Sequence, residues 1–167
     1  TIFSAFYIPF MLVLLGLILR AVSIEFRSKI ASPGWRRAWD WAFFFSSTLA
    51  SLLFGIAVGN AIVGIPLDEA GDFTGTFFGL LNPYALLVGG MTVSLFALHG
   101  LLFLNLKTDG ELRDRCARAA WPAFGIFLVL YMLATMYTTA VVPSAVENFR
   151  NHLWLALVPI LTVLAIA

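Results

Sequence analysis

Arg20, Glu25 and Arg27 stand close together at the end of a long apolar run, and Asp40 follows between two tryptophans, Trp39 and Trp41. Ionisable groups at the edge of a lipid-crossing segment are costly to bury, so a functional role is the first hypothesis for them. Two guanidinium groups beside a carboxylate suit a quinone headgroup, a haem propionate or a partner chain. The plain alternative is a set of long side chains snorkelling to the interface in a local ion network. Asp40 has two readings of the same kind: a carboxylate that takes up protons, or a helix N-cap favoured by the backbone dipole.

Further along, polar groups fall inside apolar runs. Asn60 lies late in the second run, where its amide can bond to a neighbouring helix, and Asn82-Pro83 reads as an N-cap with proline at the first helical position. His99 is the one histidine within a run, since His152 falls in a connection. An intramembrane imidazole can ligate haem or relay protons. A bis-histidine site needs a second ring that is not placed to help, so His99 reads instead as a packed, hydrogen-bonded side chain. Met11, Met91, Met132 and Met136 sit in apolar surroundings and read as core filling rather than as axial ligands. The sequence offers no phosphate loop, no H-E-x-x-H and no G-x-S-x-G. Cys116 is its one cysteine, which excludes an intrachain disulfide and a cysteine-based metal site. No catalytic residue and no metal ligand set is expected from this chain.

The elements that carry these residues are legible from composition. Hydrophobic residues make up 61% of the 167 and charged residues 11%, with a mean hydropathy of +0.96. A soluble domain carries about 25% charged residues. No charged side chain occurs in 41–67, in 73–106 or in 119–146, and about 20 helical residues cross a hydrocarbon core. The expected architecture is therefore all-α: one polytopic transmembrane bundle over 1–167, with spans at about 2–22, 41–63, 83–106, 121–142 and 153–167. Gly55 and Gly59 form a G-x-x-x-G that favours close helix packing. The first run opens at Thr1 and the last is still open at Ala167, so the chain reads as an excerpt from a longer protein.

Charge placement gives an orientation. The first connection holds Arg20, Arg27, Lys29, Arg36 and Arg37; the second, Gly64 to Asn82, holds only acids; the third holds Lys107, Arg113, Arg115 and Arg118; the fourth holds Arg150. By the positive-inside rule, 23–40 and 107–120 face the cytoplasm, with Trp39 and Trp41 as interfacial anchors. The net charge of +1 gives no reason to expect a nucleic-acid partner. The bilayer is the expected environment.

An ordered series of blocks adds a family likeness. It comprises Leu19-Arg20-Ala21-Val22-Ser23-Ile24-Glu25-Phe26-Arg27-Ser28-Lys29-Ile30, Trp35-Arg36-Arg37-Ala38-Trp39-Asp40-Trp41 and Gly55-Ile56-Ala57-Val58-Gly59-Asn60. Gly64-Ile65-Pro66-Leu67, Phe73-Thr74-Gly75-Thr76-Phe77-Phe78, Leu80-Leu81-Asn82-Pro83-Tyr84 and Lys107-Thr108-Asp109-Gly110-Glu111-Leu112 follow in order. The series resembles subunit II of the cytochrome bd-type quinol oxidases, closely over Phe6 to Arg118, with a weaker echo at Asn148 to Trp154.

The resemblance implies an accessory, scaffolding subunit of a bacterial inner-membrane terminal oxidase that is not catalytic alone. Haem b and haem d would belong to a larger partner, subunit I, and quinol and dioxygen would act at the level of the complex. No cofactor would be bound firmly here, although a quinone contact is left open. Arg20, Glu25, Arg27 and Asp40 match the most recognisable family blocks, which implies a proton path or a partner contact at the cytoplasmic face. His99 falls where family members vary, which weakens a ligand role. A secondary transporter fragment is the alternative; it predicts broken helices and inverted repeats, and neither is visible. A purely structural membrane subunit is a third reading, distinguished by whether the polar residues affect turnover.

Overall fold

Local chain chemistry sets where each helix begins and ends. In a computed structural model, which describes residues 5–68 and 73–142 and positions 147, 157, 160 and 161, helix α1 covers Tyr7–Arg27 and α2 covers Pro33–Val63. A short 3-10 helix, Phe77–Leu80, precedes α3 at Pro83–Lys107, and α4 covers Glu111–Val141. Pro33 and Pro83 each occupy a first-turn position, where the missing N–H costs nothing. Asn82 caps α3, its Oδ1 accepting from the Ala85 amide at 2.8 Å. Gly64 ends α2 with φ +97° and Gly110 opens α4 with φ +69°, conformations that cost glycine little. Lys107 in the last turn of α3 and Glu111 and Asp114 in the first turn of α4 complement the helix dipoles.

All four helices are long and apolar enough to cross a membrane. The expected span at 153–167 lies outside the described residues, apart from positions 157, 160 and 161.

The helices do not stop where the hydropathy does. The segments 23–40 and 107–120, expected as connections, are mostly helical: the breaks are only 28–32 and 108–110. Arginine, glutamate, lysine and tryptophan all sit well in a helix. A charged cluster therefore marks where lipid ends, not where backbone hydrogen bonding ends. Asp40 is accordingly well inside α2 and is not its N-cap, a position held by Ser32.

Consecutive helices pack antiparallel. Gly16 on α1 meets α2 at Ser46 and Ala50. Between α2 and α3, Gly55 faces Gly89 and Gly59 faces Ala85, so closely that a Cβ added at Gly55 would lie 2.6 Å from the Gly89 Cα. The G-x-x-x-G thus works as a helix-packing surface. Val13, Leu53, Ile56 and Ala85 form one buried cluster, and Ala5, Phe6 and Leu80 another. Large apolar side chains of α4, including Trp121, Met132 and Met136, point outward, as expected where lipid or a partner helix replaces water.

Candidate functional site

At the end of the bundle that carries Arg27, the α1–α2 hairpin turns through five residues, 28–32. Ser28 and Lys29 close α1, with the Lys29 amide donating to the Phe26 carbonyl at 3.1 Å. The Trp35 indole N–H donates to the same carbonyl at 2.8 Å. Trp39 packs between Phe26 and Trp35, with ring centroids 5.4 and 5.6 Å away. These aromatic contacts fix the hairpin and so bring Arg27 on α1 against Asp40 on α2.

Arg27 and Asp40 form an ion pair, Nε to Oδ1 at 2.5 Å and Nη2 to Oδ2 at 3.4 Å, a forked arrangement matched to the planar guanidinium. Both side chains are about half exposed in the isolated chain, 52% and 53%. The other two members of the expected group lie elsewhere. Glu25 pairs at 2.9 Å with Lys29, four residues on and just past the end of α1. Arg20 lies two turns deeper, with its guanidinium carbon 5.5 Å from the centre of the Phe43 ring. The four residues therefore share one end of the bundle as three separate arrangements. Trp41 is exposed and stacks on Phe45 at 5.4 Å, as an interfacial anchor would.

Arg20 opens onto a groove of about 570 Å³ whose floor is α2 and whose walls are α1 and α3. Ser47, Ser51 and Phe54 contribute to the floor, and His99 lines the α3 wall. His99 is exposed, not packed as expected, and has no hydrogen-bond partner among the described residues. The Ser47 hydroxyl is buried and equally without a partner there. No methionine, cysteine or second histidine lines the groove.

The opposite end is held by amides. Asn60 is 3% exposed. It donates to the Ile56 carbonyl at 2.9 Å and to the Leu80 carbonyl at 2.7 Å, and accepts from the Asn82 amide at 2.9 Å. Its bonding across helices, anticipated from a lone amide in a span, thus runs to the 3-10 turn and the α3 cap together. Tyr84 shares a 2.7 Å hydrogen bond with Thr138 on α4. The sequence reading missed that link and the Ser47 position. The run Ser46-Ser47-Thr48 inside a span was the available signal for the second.

The family model described as cytochrome bd terminal oxidase subunit II matches residues 1–167. The chain is 38% identical over 155 residues to a Haemophilus influenzae protein named "Probable cytochrome oxidase subunit 2", covering 88% of this chain and 41% of that one. It is 40% identical over 139 residues to the cytochrome bd-I ubiquinol oxidase subunit 2 of Escherichia coli K12, covering 81% and 37%. A third relative, the cytochrome bd ubiquinol oxidase subunit 2 of Bacillus subtilis, is 36% identical over 130 residues, covering 77% and 38%. The chain spans about two fifths of the length of these curated relatives.

Proposed function

The chain belongs to the cytochrome bd terminal oxidase subunit II family, and from that membership we propose that it is part of the accessory, scaffolding subunit of a bd-type quinol:oxygen oxidoreductase in the bacterial cytoplasmic membrane. The complex oxidises quinol and reduces dioxygen to water, drawing protons from the cytoplasm. The observation that carries the proposal is the match of the family model across all 167 residues. Four helices able to span a bilayer support it. Neither the family match nor the relatives lend support to the secondary transporter alternative.

Within that reading, the larger haem-carrying subunit I supplies the redox centres. The groove offers one imidazole, His99, and no second histidine, methionine or cysteine among the described residues, so it does not fit a haem held from both faces. The Arg27–Asp40 pair, backed by Trp39, provides either a contact for subunit I or one lining of a proton path. The basic ends around 28–32 and 108–110 face the cytoplasm. These roles account for ion pairs at a membrane edge, where exposed pairs add little to stability on their own.

The test is to purify the full-length parent protein in mild detergent and record a reduced-minus-oxidised visible spectrum with quinol-dependent oxygen uptake. Haem bands and a co-purifying larger subunit are expected, and a colourless protein purifying alone overturns the reading. Single cysteines at Ser28, Thr108 and Thr74 test the orientation. Impermeant reagents added to intact cells should label only the Thr74 position.

A further inference from the structure

We propose that the groove between α1, α2 and α3 holds an anionic phospholipid of the cytoplasmic leaflet, its phosphate at Arg20 and an acyl chain along Phe43 and Phe54. The proposal rests on the membrane-spanning orientation and not on the oxidase chemistry.

Charge comes first. Arg20 sits two turns inside the end of α1, at a depth where an unpaired guanidinium is costly. The two carboxylates on the three helices that form the groove are engaged: Asp40 holds Arg27 and Glu25 holds Lys29. Arg20 has no carboxylate partner among the described residues; its contact is the face of Phe43. A phosphate provides the missing negative charge and accepts the guanidinium bidentately. Basic pockets between transmembrane helices on the cytoplasmic side suit lipid headgroups on the same electrostatic grounds.

The buried Ser47 hydroxyl has no partner among the described residues, and its residue lines this groove with Arg20 and His99. A headgroup brings acceptors to the guanidinium, while the Ser47 hydroxyl lies beneath the groove surface. The remaining lining is mostly apolar and aromatic, as an acyl chain requires.

The groove takes the phosphate and one acyl chain, with the second chain left in the bilayer. The groove holds about 570 Å³, within the ~300–1,000 Å³ typical of small-molecule sites. Ten residues of a helix about 10 Å in diameter and about 15 Å long occupy roughly 1,200 Å³. A helix would therefore cover the groove rather than sit within it, and its backbone, already hydrogen-bonded internally, offers Arg20 no counter-charge.

The experiment uses the full-length protein in its purified complex, stripped of lipid in detergent and then given equal phosphatidylglycerol and phosphatidylcholine. Native mass spectrometry reads which lipid is retained, whatever the haem content, so failure here is distinguishable from failure of the oxidase reading. Wild type should retain phosphatidylglycerol by about fivefold over phosphatidylcholine, the preference one basic residue gives at a membrane surface. Arg20→Gln should bring the ratio to about one, Arg20→Lys should keep most of it, and Arg113→Gln, outside the groove, should leave it unchanged. If Arg20→Gln does not assemble, a phosphatidylglycerol with a photoreactive acyl chain decides the matter in wild type: cross-links should fall within 43–54 or 93–100. Equal retention of the two lipids, cross-links confined to other segments, or a quinone extracted in place of phospholipid would each overturn the proposal.

Discussion

Replacing Asn60 with leucine removes the amide that ties the 3-10 turn to α2 and α3. Asn60 makes two bonds outside its own helix, to the Leu80 carbonyl at 2.7 Å and from the Asn82 amide at 2.9 Å. Hydrogen bonds between transmembrane helices average about 0.6 kcal/mol and reach about 1.7, so the two together supply roughly 1–3 kcal/mol. Leucine also leaves the Leu80 carbonyl buried without that donor, at a cost of about 1–3 kcal/mol. Asn82 is only half-buried and recovers part of its loss to water, which puts the total near 2–4 kcal/mol. The lower figure corresponds to about a 30-fold rise in local opening. Hydrogen exchange read by mass spectrometry in the full-length protein is the assay, with attention to the Gly79 and Leu81 amides that close the 3-10 turn. A change below about threefold would refute the accounting, since even one average bond with its orphaned partner exceeds that. Asn60→Asp separates the contributions: it keeps the acceptor facing Asn82 and loses both donations.

Gly55→Val should lower the melting temperature of the complex by an amount equivalent to about 1–3 kcal/mol, because its Cβ meets backbone 2.6 Å away at Gly89 and the helices must part. Unchanged melting would mean that α2 and α3 are not in contact there. Asp40→Asn should leave the melting temperature nearly unchanged, since the pair with Arg27 is half exposed, while quinol-dependent oxygen uptake falls; unaltered uptake would assign the pair to anchoring alone. Tyr84→Phe should cost about 0.6 kcal/mol, read by thermal denaturation, and Thr138→Val should cost less in that background than in wild type, where it also breaks the link to Tyr84.

The class of the fold was written in composition, because a chain with 11% charged residues and long uncharged runs has few other ways to satisfy its backbone. Asn82-Pro83 and Gly55/Gly59 were equally readable, since capping and close packing need those residue types. Helix ends were not. Trp35 to Asp40 reads as a connection by hydropathy and folds as the first turns of α2. The Glu25–Lys29 pair follows from i,i+4 spacing, whereas Arg27 meets Asp40 only because a five-residue turn and the Trp35–Phe26 hydrogen bond set the hairpin's angle. The separation of Arg20 from that pair is likewise a matter of depth along α1, which residue type does not encode. The contact between Asn60 and Asn82 depends on the path of the intervening loop, so only the need for a partner was visible.

Helices α2 and α4 each run for 31 residues, about 46 Å at helical rise against a hydrocarbon core of about 30 Å. They run parallel, so both overhang the bilayer at the same end, carrying Arg36 and Arg37 on one and Arg113, Arg115 and Arg118 on the other. An overhang continuous with a membrane span behaves as a shaft: its azimuth is dictated by the helix beneath it. Inserting a single alanine after Ala38 would turn the α2 overhang by about 100° and lift it by about 1.5 Å. The intramembrane packing of Ser46, Leu53 and Gly55 would stay in place, while Arg36 and Arg37 would swing to face a new neighbour. Any docking that reads those arginines is therefore indexed to the membrane-buried glycines some twenty residues away.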